Sequence, residues 1–292
     1  MPRKVYLPTS LLLVAIAGWH APATAQETAD SPPQIDLSNS VFAGDFVTIG
    51  IGAGVRPSYE GSNDYEVTPA PIIQGSVSGF DFGARGPGLY VDVIRDTNSA
   101  SRIKLILGPQ LRARFDRNFD INDPFVSLLG TRKIAIEAGL TAGVTLTKLI
   151  NPFDRLSVTV DSAWDVAGAH NGNVTTPAIS YSSPLSRAAF ASLSVSADHV
   201  SDNYARTYFS VDQAGSRRSS LPVFDAKGGW KSVSGSLLGG YDLSGNALDG
   251  GWSLFSLVTY SRLRGDAARS PVTSIRGSAN QVFVAGGVSY TF

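Results

Sequence analysis

Few residues in this chain could do acid–base or nucleophilic chemistry. After residue 25 there are two histidines, His170 and His199, and no cysteine occurs anywhere. Without cysteine there is no disulfide framework, thiolate metal site, cysteine nucleophile or lipidated N-terminal Cys. A lipid hydrolase needs a serine and a histidine oriented by a carboxylate or amide. The run HVSDNY, 199–204, offers His199, Ser201 and Asn203, but Asp202 separates the last two. In a strand, a slip of one residue turns a side chain to the opposite face. His170 lies in the turn-rich run AHNGN. Neither histidine has a partner at metal-ligand spacing, so both read as turn or rim residues. No catalytic residue and no metal ligand is assigned. The run GIGAGV, 50–55, has part of a dinucleotide fingerprint. It lacks the third glycine and the following helix that the fingerprint needs, so no cofactor is expected.

The charged residues are more informative, because they recur at alternate positions of long apolar segments. In 102–116, Lys104, Arg112 and Arg114 share a face opposite Ile103, Leu105, Leu107 and Leu111. In 133–147, Glu137 sits on a small and polar face with Gly139, Thr141, Gly143 and Thr145. In 155–167, Asp161 and Asp165 oppose Leu156, Val158, Val160 and Trp164. If such faces enclose a lumen, these six residues are its lining candidates. Opposite charges across it offset the cost of enclosing them. They could equally line a narrow aqueous pore.

The elements that must position these residues are strands, since side chains alternate with period two and no helical period extends over a useful length. Candidate strands fall at 46–56, 66–77, 79–93, 102–116, 132–148, 155–167, 174–182, 187–199, 205–212, 229–243, 250–263 and 281–292. The count is twelve, or ten if the weak segments 174–182 and 205–212 are loops. Several exceed the five or six residues of ordinary strands and match the roughly 9 to 11 needed to cross a bilayer. One face is apolar. The other is rich in glycine, serine and threonine, as in the inside of a narrow barrel. In lipid every backbone donor must be paired, so the sheet must close on itself. The expected fold is all-β, a closed antiparallel transmembrane barrel over 45–292 with both termini on the same, periplasmic side. Twelve strands lie between a filled interior and an open channel, and a mostly filled lumen is favoured.

Parity leaves one conflict. The long connections 213–228 and 264–280 fall at the end opposite the termini, whereas 117–131 falls at the termini's end, where connections are usually short. In the first strand, Gly50, Gly52 and Gly54 form a lumen-facing row that admits bulky side chains from across the barrel. Tyr59 and Tyr65 flank the polar turn EGSND and read as membrane-boundary residues. Pro69 and Pro71 remove ladder donors, so a bulged or late-starting strand is expected there.

The N-terminus has the parts of a secretory signal peptide. Arg3 and Lys4 precede the apolar run 11–18, and Ala23-Thr24-Ala25 supplies a cleavage site, giving a signal over 1–25. A run of eight is too short to span a bilayer as a helix. Residues 26–44 read as a flexible lead-in. The 24 basic and 24 acidic residues balance, which implies no nucleic-acid partner.

Three stretches resemble the MipA/OmpV family of outer-membrane proteins. In GVRPSYEGSNDYEVTPAP, 54–71, the matching positions are Pro57, Tyr59, Gly61, Ser62, Tyr65, Pro69 and Pro71. In 207–229 they are Tyr208 and Phe209, with Ser210 where the family usually has glycine. In RLRGDAARSPVT, 262–273, they are Leu263, Gly265, Asp266, Ala267, Ser270 and Pro271. The chain also ends, like the family, on aromatic-x-Phe, here Tyr290 and Phe292. The resemblance implies an outer-membrane barrel in contact with outer-membrane lipid. It also implies that the terminal Phe292 is read by the barrel-insertion machinery. The partners it implies are a murein lytic transglycosylase and a penicillin-binding protein, joined by a scaffold. It implies no catalytic residue. Three functions are therefore weighed: a scaffold for murein enzymes, a narrow pore for small solutes, and a lipid-acting enzyme. The first is favoured.

Overall fold

A computed structural model describes residues 40–95, 101–118 and 121–292. The expected signal peptide and residues 26–39 of the lead-in lie outside the described residues. Thirteen strands follow one another in a single antiparallel sheet: β1 Phe46–Pro57, β2 Tyr65–Pro69, β3 Ile72–Val77, β4 Phe80–Ala84, β5 Gly88–Val91, β6 Ile103–Arg114, β7 Ala135–Thr147, β8 Arg155–Asp165, β9 Asn173–Pro184, β10 Ala189–Val200, β11 Gly229–Asp242, β12 Gly251–Leu263 and β13 Asn280–Thr291. Strand β13 pairs back onto β1, from Thr48 opposite Thr291 to Val55 opposite Val284, and this closes the barrel. Closure leaves no edge to be satisfied by lipid.

The barrel has twelve staves, because β2 and β3 are one. Both pair with β1 in a single register: Ala53 faces Pro69 and Gly50 faces Ile72. Ala70 N still donates to Gly52 O at 3.0 Å. The bulge expected at the two prolines is therefore absent. Pro71 interrupts the ladder without shifting it.

Two other strand assignments change. Segment 79–93 is a hairpin of the short strands β4 and β5, turned at Gly86, whose φ of +58° favours glycine, followed by Pro87. Segment 205–212 is no strand. Helix α1, Asp202–Phe209, occupies most of it, with Tyr204, Ala205, Tyr208 and Phe209 buried along one side. One strand gained and one lost leave the count at twelve. The change also removes the parity conflict. The connections 115–134, 201–228 and 264–279 all leave the same end of the barrel, opposite the termini.

Nine strands are 11 to 14 residues long. Their outward side chains form an exposed apolar belt that includes Ile51 at 72 % exposure, Leu105, Leu140, Val195 and Val258. Trp252, Tyr290 and Phe292 stack edge to face near the termini, and exposed Trp164 and Trp230 mark the other rim. An apolar band between two aromatic girdles is the outer-membrane barrel signature. No helix among the described residues is long and apolar enough to cross a membrane.

The inner wall carries hydroxyl pairs between neighbouring strands. Thr48 meets Thr291, Thr145 meets Ser157 and Ser236 meets Thr259, each at 2.8 Å. The glycine row of β1 faces inward as expected, but it makes room for neighbours rather than for residues across the lumen. A Cβ at Gly52 would come within 2.8 Å of the Phe255 ring, and one at Gly54 within 2.8 Å of Phe283.

Candidate functional site

The apolar core lies at the long-loop end and not in the middle of the barrel. Helix α1 buries Tyr204, Ala205, Tyr208 and Phe209 against Val174, Val200 and Leu263, which are the inward-facing ends of three staves. Helices α3, Gly265–Arg269, and α4, Pro271–Ser274, belong to the same cap. A second cluster joins Tyr59, Val126, Leu129, Val211, Leu221 and Val272 beneath helix α2, Gln213–Ser219. The cap occupies the mouth, so this end of the lumen is filled.

The three sequence stretches singled out above meet in this cap. Ser62 forms an isolated β-bridge with Gly277, and Gly61 N donates to Gln281 Oε1 at 3.1 Å. Gly61 has a φ of +96°, which explains glycine there. Ser270 Oγ donates to Phe209 O at 2.6 Å. Asp266 accepts from Lys227 N at 2.8 Å, and Gly265 sits at φ +53°. Pro271 opens α4 at a position where its missing N–H costs nothing. Tyr59 is 2 % exposed and belongs to the cap interior rather than to the membrane boundary. Tyr65 is exposed at the start of β2, and Pro57 ends β1 opposite it.

Below the cap, charged side chains pair inside the barrel, with Arg112 directly opposite Glu137 on the neighbouring strands β6 and β7. Glu137 is fully buried and accepts from Arg112 Nε at 2.6 Å and from Arg114 Nε at 2.9 Å. His170 completes this network, with Nε2 at 3.1 Å from Glu137 Oε1. Gly172 N donates to His170 Nδ1, which assigns the ring hydrogen to Nε2. His170 is thus an interior residue and not a rim residue. Asp161 accepts from Arg85 at 2.6 and 2.7 Å and from Thr141 at 2.8 Å. Lys104 faces inward opposite Thr145. Asp165 lies on the same face as Glu137, directly opposite it at the mouth end of β8, and its carboxylate is taken up by the adjoining turn. It accepts from the backbone N–H groups of Ala167, His170 and Asn171 and shapes the β8–β9 turn.

Sequence alternation did not reveal Arg85, Glu60 or Lys231. Arg85 lies in the β4–β5 turn and reaches β8. Lys231 turns inward because β11 carries a bulge. Asp198 pairs Ser232 and His199 pairs Trp230, which leaves Lys231 as the extra residue. Its ammonium, 3 % exposed as a residue, is bonded to Glu60 and lies 3.1 Å from Asp198. Tyr204 donates to Glu60 Oε2 at 2.7 Å, and its ring lies 4.9 Å from the Arg114 guanidinium. Glu60 N in turn donates to Asp116 at 2.7 Å. Burial pushes the Glu60 carboxyl up, but the Lys231 ammonium and then the Arg114 guanidinium outweigh it, so the group is held below the ordinary carboxylate value. Burial raises Asp116, and the nearby Glu60 carboxylate adds to that.

No hydrolytic constellation is assembled around HVSDNY. The His199 ring stacks edge-on to Trp230 at 5.3 Å. Ser201 accepts from Asn173 N, and Asn203 donates to Asn171 O. Among the described residues no cluster of three His, Asp or Glu side chains could hold a metal ion.

The model of one family, described as MltA-interacting protein MipA, matches residues 49–292. No curated protein matches the chain. Among solved structures the chain is similar to an outer membrane channel from Pseudomonas putida F1, at 14 % identity and TM-score 0.42, covering 85 % of this chain and 96 % of that one. It is similar to the CymD monoaromatic hydrocarbon channel at 9 % identity and TM-score 0.38, covering 88 % and 91 %. It is also similar to a Pseudomonas aeruginosa FadL homologue at 9 % identity and TM-score 0.36, covering 85 % and 89 %. At these similarities the barrel assignment rests on the chain's own closure of β13 onto β1.

Proposed function

We propose that this chain, which belongs to the MltA-interacting protein MipA family, is an outer-membrane scaffold that holds a murein lytic transglycosylase, and with it a penicillin-binding protein. The family membership over 49–292 carries the reading. The filled mouth supports it, because α1 and the three long connections occupy the route that a solute would take. The inner charges support it too, since Arg112 and Arg114 are neutralised by Glu137, and Asp161 by Arg85.

In this reading the chain is exported through the signal peptide 1–25 and both termini face the periplasm. The cap then faces outward. Tyr290 and Phe292, at the end of the closing strand, serve as the insertion signal. The murein enzymes meet the barrel from the side of the short turns.

The test is co-purification of the full chain, in detergent, with a lytic transglycosylase. Retention of the enzyme by folded barrel, judged by faster gel migration before boiling, is the expected result. Folded barrel that retains no enzyme overturns the scaffold. Steady single-channel openings that vanish when Arg112 and Arg114 are neutralised would return the pore reading instead.

A further inference from the structure

The cap gathers four arginines at and beside one groove. Arg132, Arg206 and Arg218 line a polar groove of about 240 Å³ together with Ser210, Asp212 and Gly215. Arg117, 1 % exposed, stands beside Arg132: its Nη2 and Arg132 Nε donate to the same acceptor, Thr207 O, at 3.1 and 2.8 Å. None of these four guanidiniums makes an ion pair among the described residues. Those deeper in the barrel and at Asp123 do: Arg85 with Asp161, Arg112 and Arg114 with Glu137, Arg276 with Asp123. The carboxylates nearest the groove temper this charge without forming an ion pair with it. Asp212 accepts from Gly215 N at 2.6 Å, and Asp116 from Glu60 N at 2.7 Å.

Arg117 sharpens the imbalance. Among the described residues its Nε and Nη1 have no hydrogen-bond partner, and neither has the buried Tyr208 hydroxyl. Burying a guanidinium that no carboxylate contacts is costly, and the nearby Asp116 charge offsets only part of that cost. Burial, and then the neighbouring Arg132 charge, push the Arg117 guanidinium down to about 10.

The groove's arginines are held in place, Arg132 and Arg218 by backbone carbonyls and Arg206 by a side-chain amide. Arg132 Nη1 donates to the carbonyls of Leu129, Gly130 and Thr131. Arg218 Nε donates to Leu128 O at 3.1 Å, and Arg206 Nη2 to Asn203 Oδ1 at 2.5 Å. Guanidiniums fixed in this way keep further N–H groups for a guest, and their planar forks suit oxygen-rich anions. The groove is smaller than the roughly 300 Å³ at which sites for larger organic ligands begin, so a compact anion fits it best.

We propose that the groove between Arg132, Arg206 and Arg218 binds a phosphate-class oxyanion, with the charge of Arg117 behind it. Such a group could be inorganic phosphate or the phosphomonoester headgroup of a lipid at the barrel rim. The full chain in maltoside micelles is titrated calorimetrically with inorganic phosphate at low salt, and separately with phosphatidic acid mixed into the micelles. Saturable binding is expected in at least one arm. Inorganic phosphate alone identifies the free ion as the guest, and phosphatidic acid preferred over inorganic phosphate identifies a headgroup. The double variant Arg206→Gln/Arg218→Gln removes two exposed charges, and its fold is checked by unboiled gel migration. Binding by the folded variant should fall at least about tenfold, as expected for losing hydrogen bonds to a charged group. Absence of saturable binding in both arms, or unchanged binding in the folded variant, overturns the proposal.

Discussion

At the residue scale, two carboxylates anchor the interior, Glu137 fully buried and Glu60 partly so. Glu137 answers two guanidiniums and a histidine at once. Removing one member of such a network leaves the other charges buried without a counter-ion. Glu137→Ala is expected to cost about 3–5 kcal/mol, seen as a lower temperature at which the fast-migrating folded band disappears. An unchanged transition would show that the network adds no stability. Glu60 behaves differently because it ties the 58–64 loop to α1 and β11. Its folded carboxyl lies below the ordinary value. Its stabilising contribution is therefore complete above its unfolded value, about pH 4.3, and is lost as pH falls through the lower folded value. Pepsin should nick the cap as the pH drops, before the barrel opens, and Glu60→Gln should remove that acid step.

At the element scale, the cap is a set of loops locked by close backbone approaches. A Cβ at Gly277 would run into the carbonyl oxygen of Gly61. Gly277→Ala should therefore break the bridge to Ser62 and free the 58–64 and 264–279 loops, leaving the staves intact. Limited proteolysis would show new cuts in those two loops, with gel migration still sensitive to boiling. Resistance equal to that of the native chain would mean the bridge is dispensable. The elements also show why alternation reads long strands well and short ones poorly. Strand β7 obeys period two over all of Ala135–Thr147, whereas β4 and β5 are too short to set a period of their own. Segment 205–212 misled for another reason. Its apolar Ala205, Tyr208, Phe209 and Val211 are buried through a helix and the bridge that follows it. A short apolar run does not distinguish helix from strand.

At the scale of the whole molecule, the packed core sits in the mouth of a barrel whose wall is lined by small and hydroxyl side chains. The native chain should conduct weakly in planar bilayers. Replacing residues 203–226 with a short Gly-Ser linker removes α1 and α2 while β10 and β11 keep their pairing. That variant should give steady openings. Equal conductance by the two proteins would show that the cap is not what closes the mouth.

The sequence alone determined the barrel, its closing strand, the two-faced staves and the lumen-facing positions of Arg112, Arg114, Glu137 and Asp161. These follow from period two, which is local: each residue's face is fixed by its neighbours in the chain. Family-like stretches could be found for the same reason, as runs of adjacent residues. Only the tertiary structure brought them together, because Gly61, Phe209 and Ser270 are far apart in sequence and meet only when the loops fold into one mouth. It alone placed His170 on Glu137 and turned Lys231 inward at a bulge. It also set Arg117 beside Arg132 on a shared carbonyl. Contacts across a closed barrel depend on register and closure. No stretch of chain contains that information by itself.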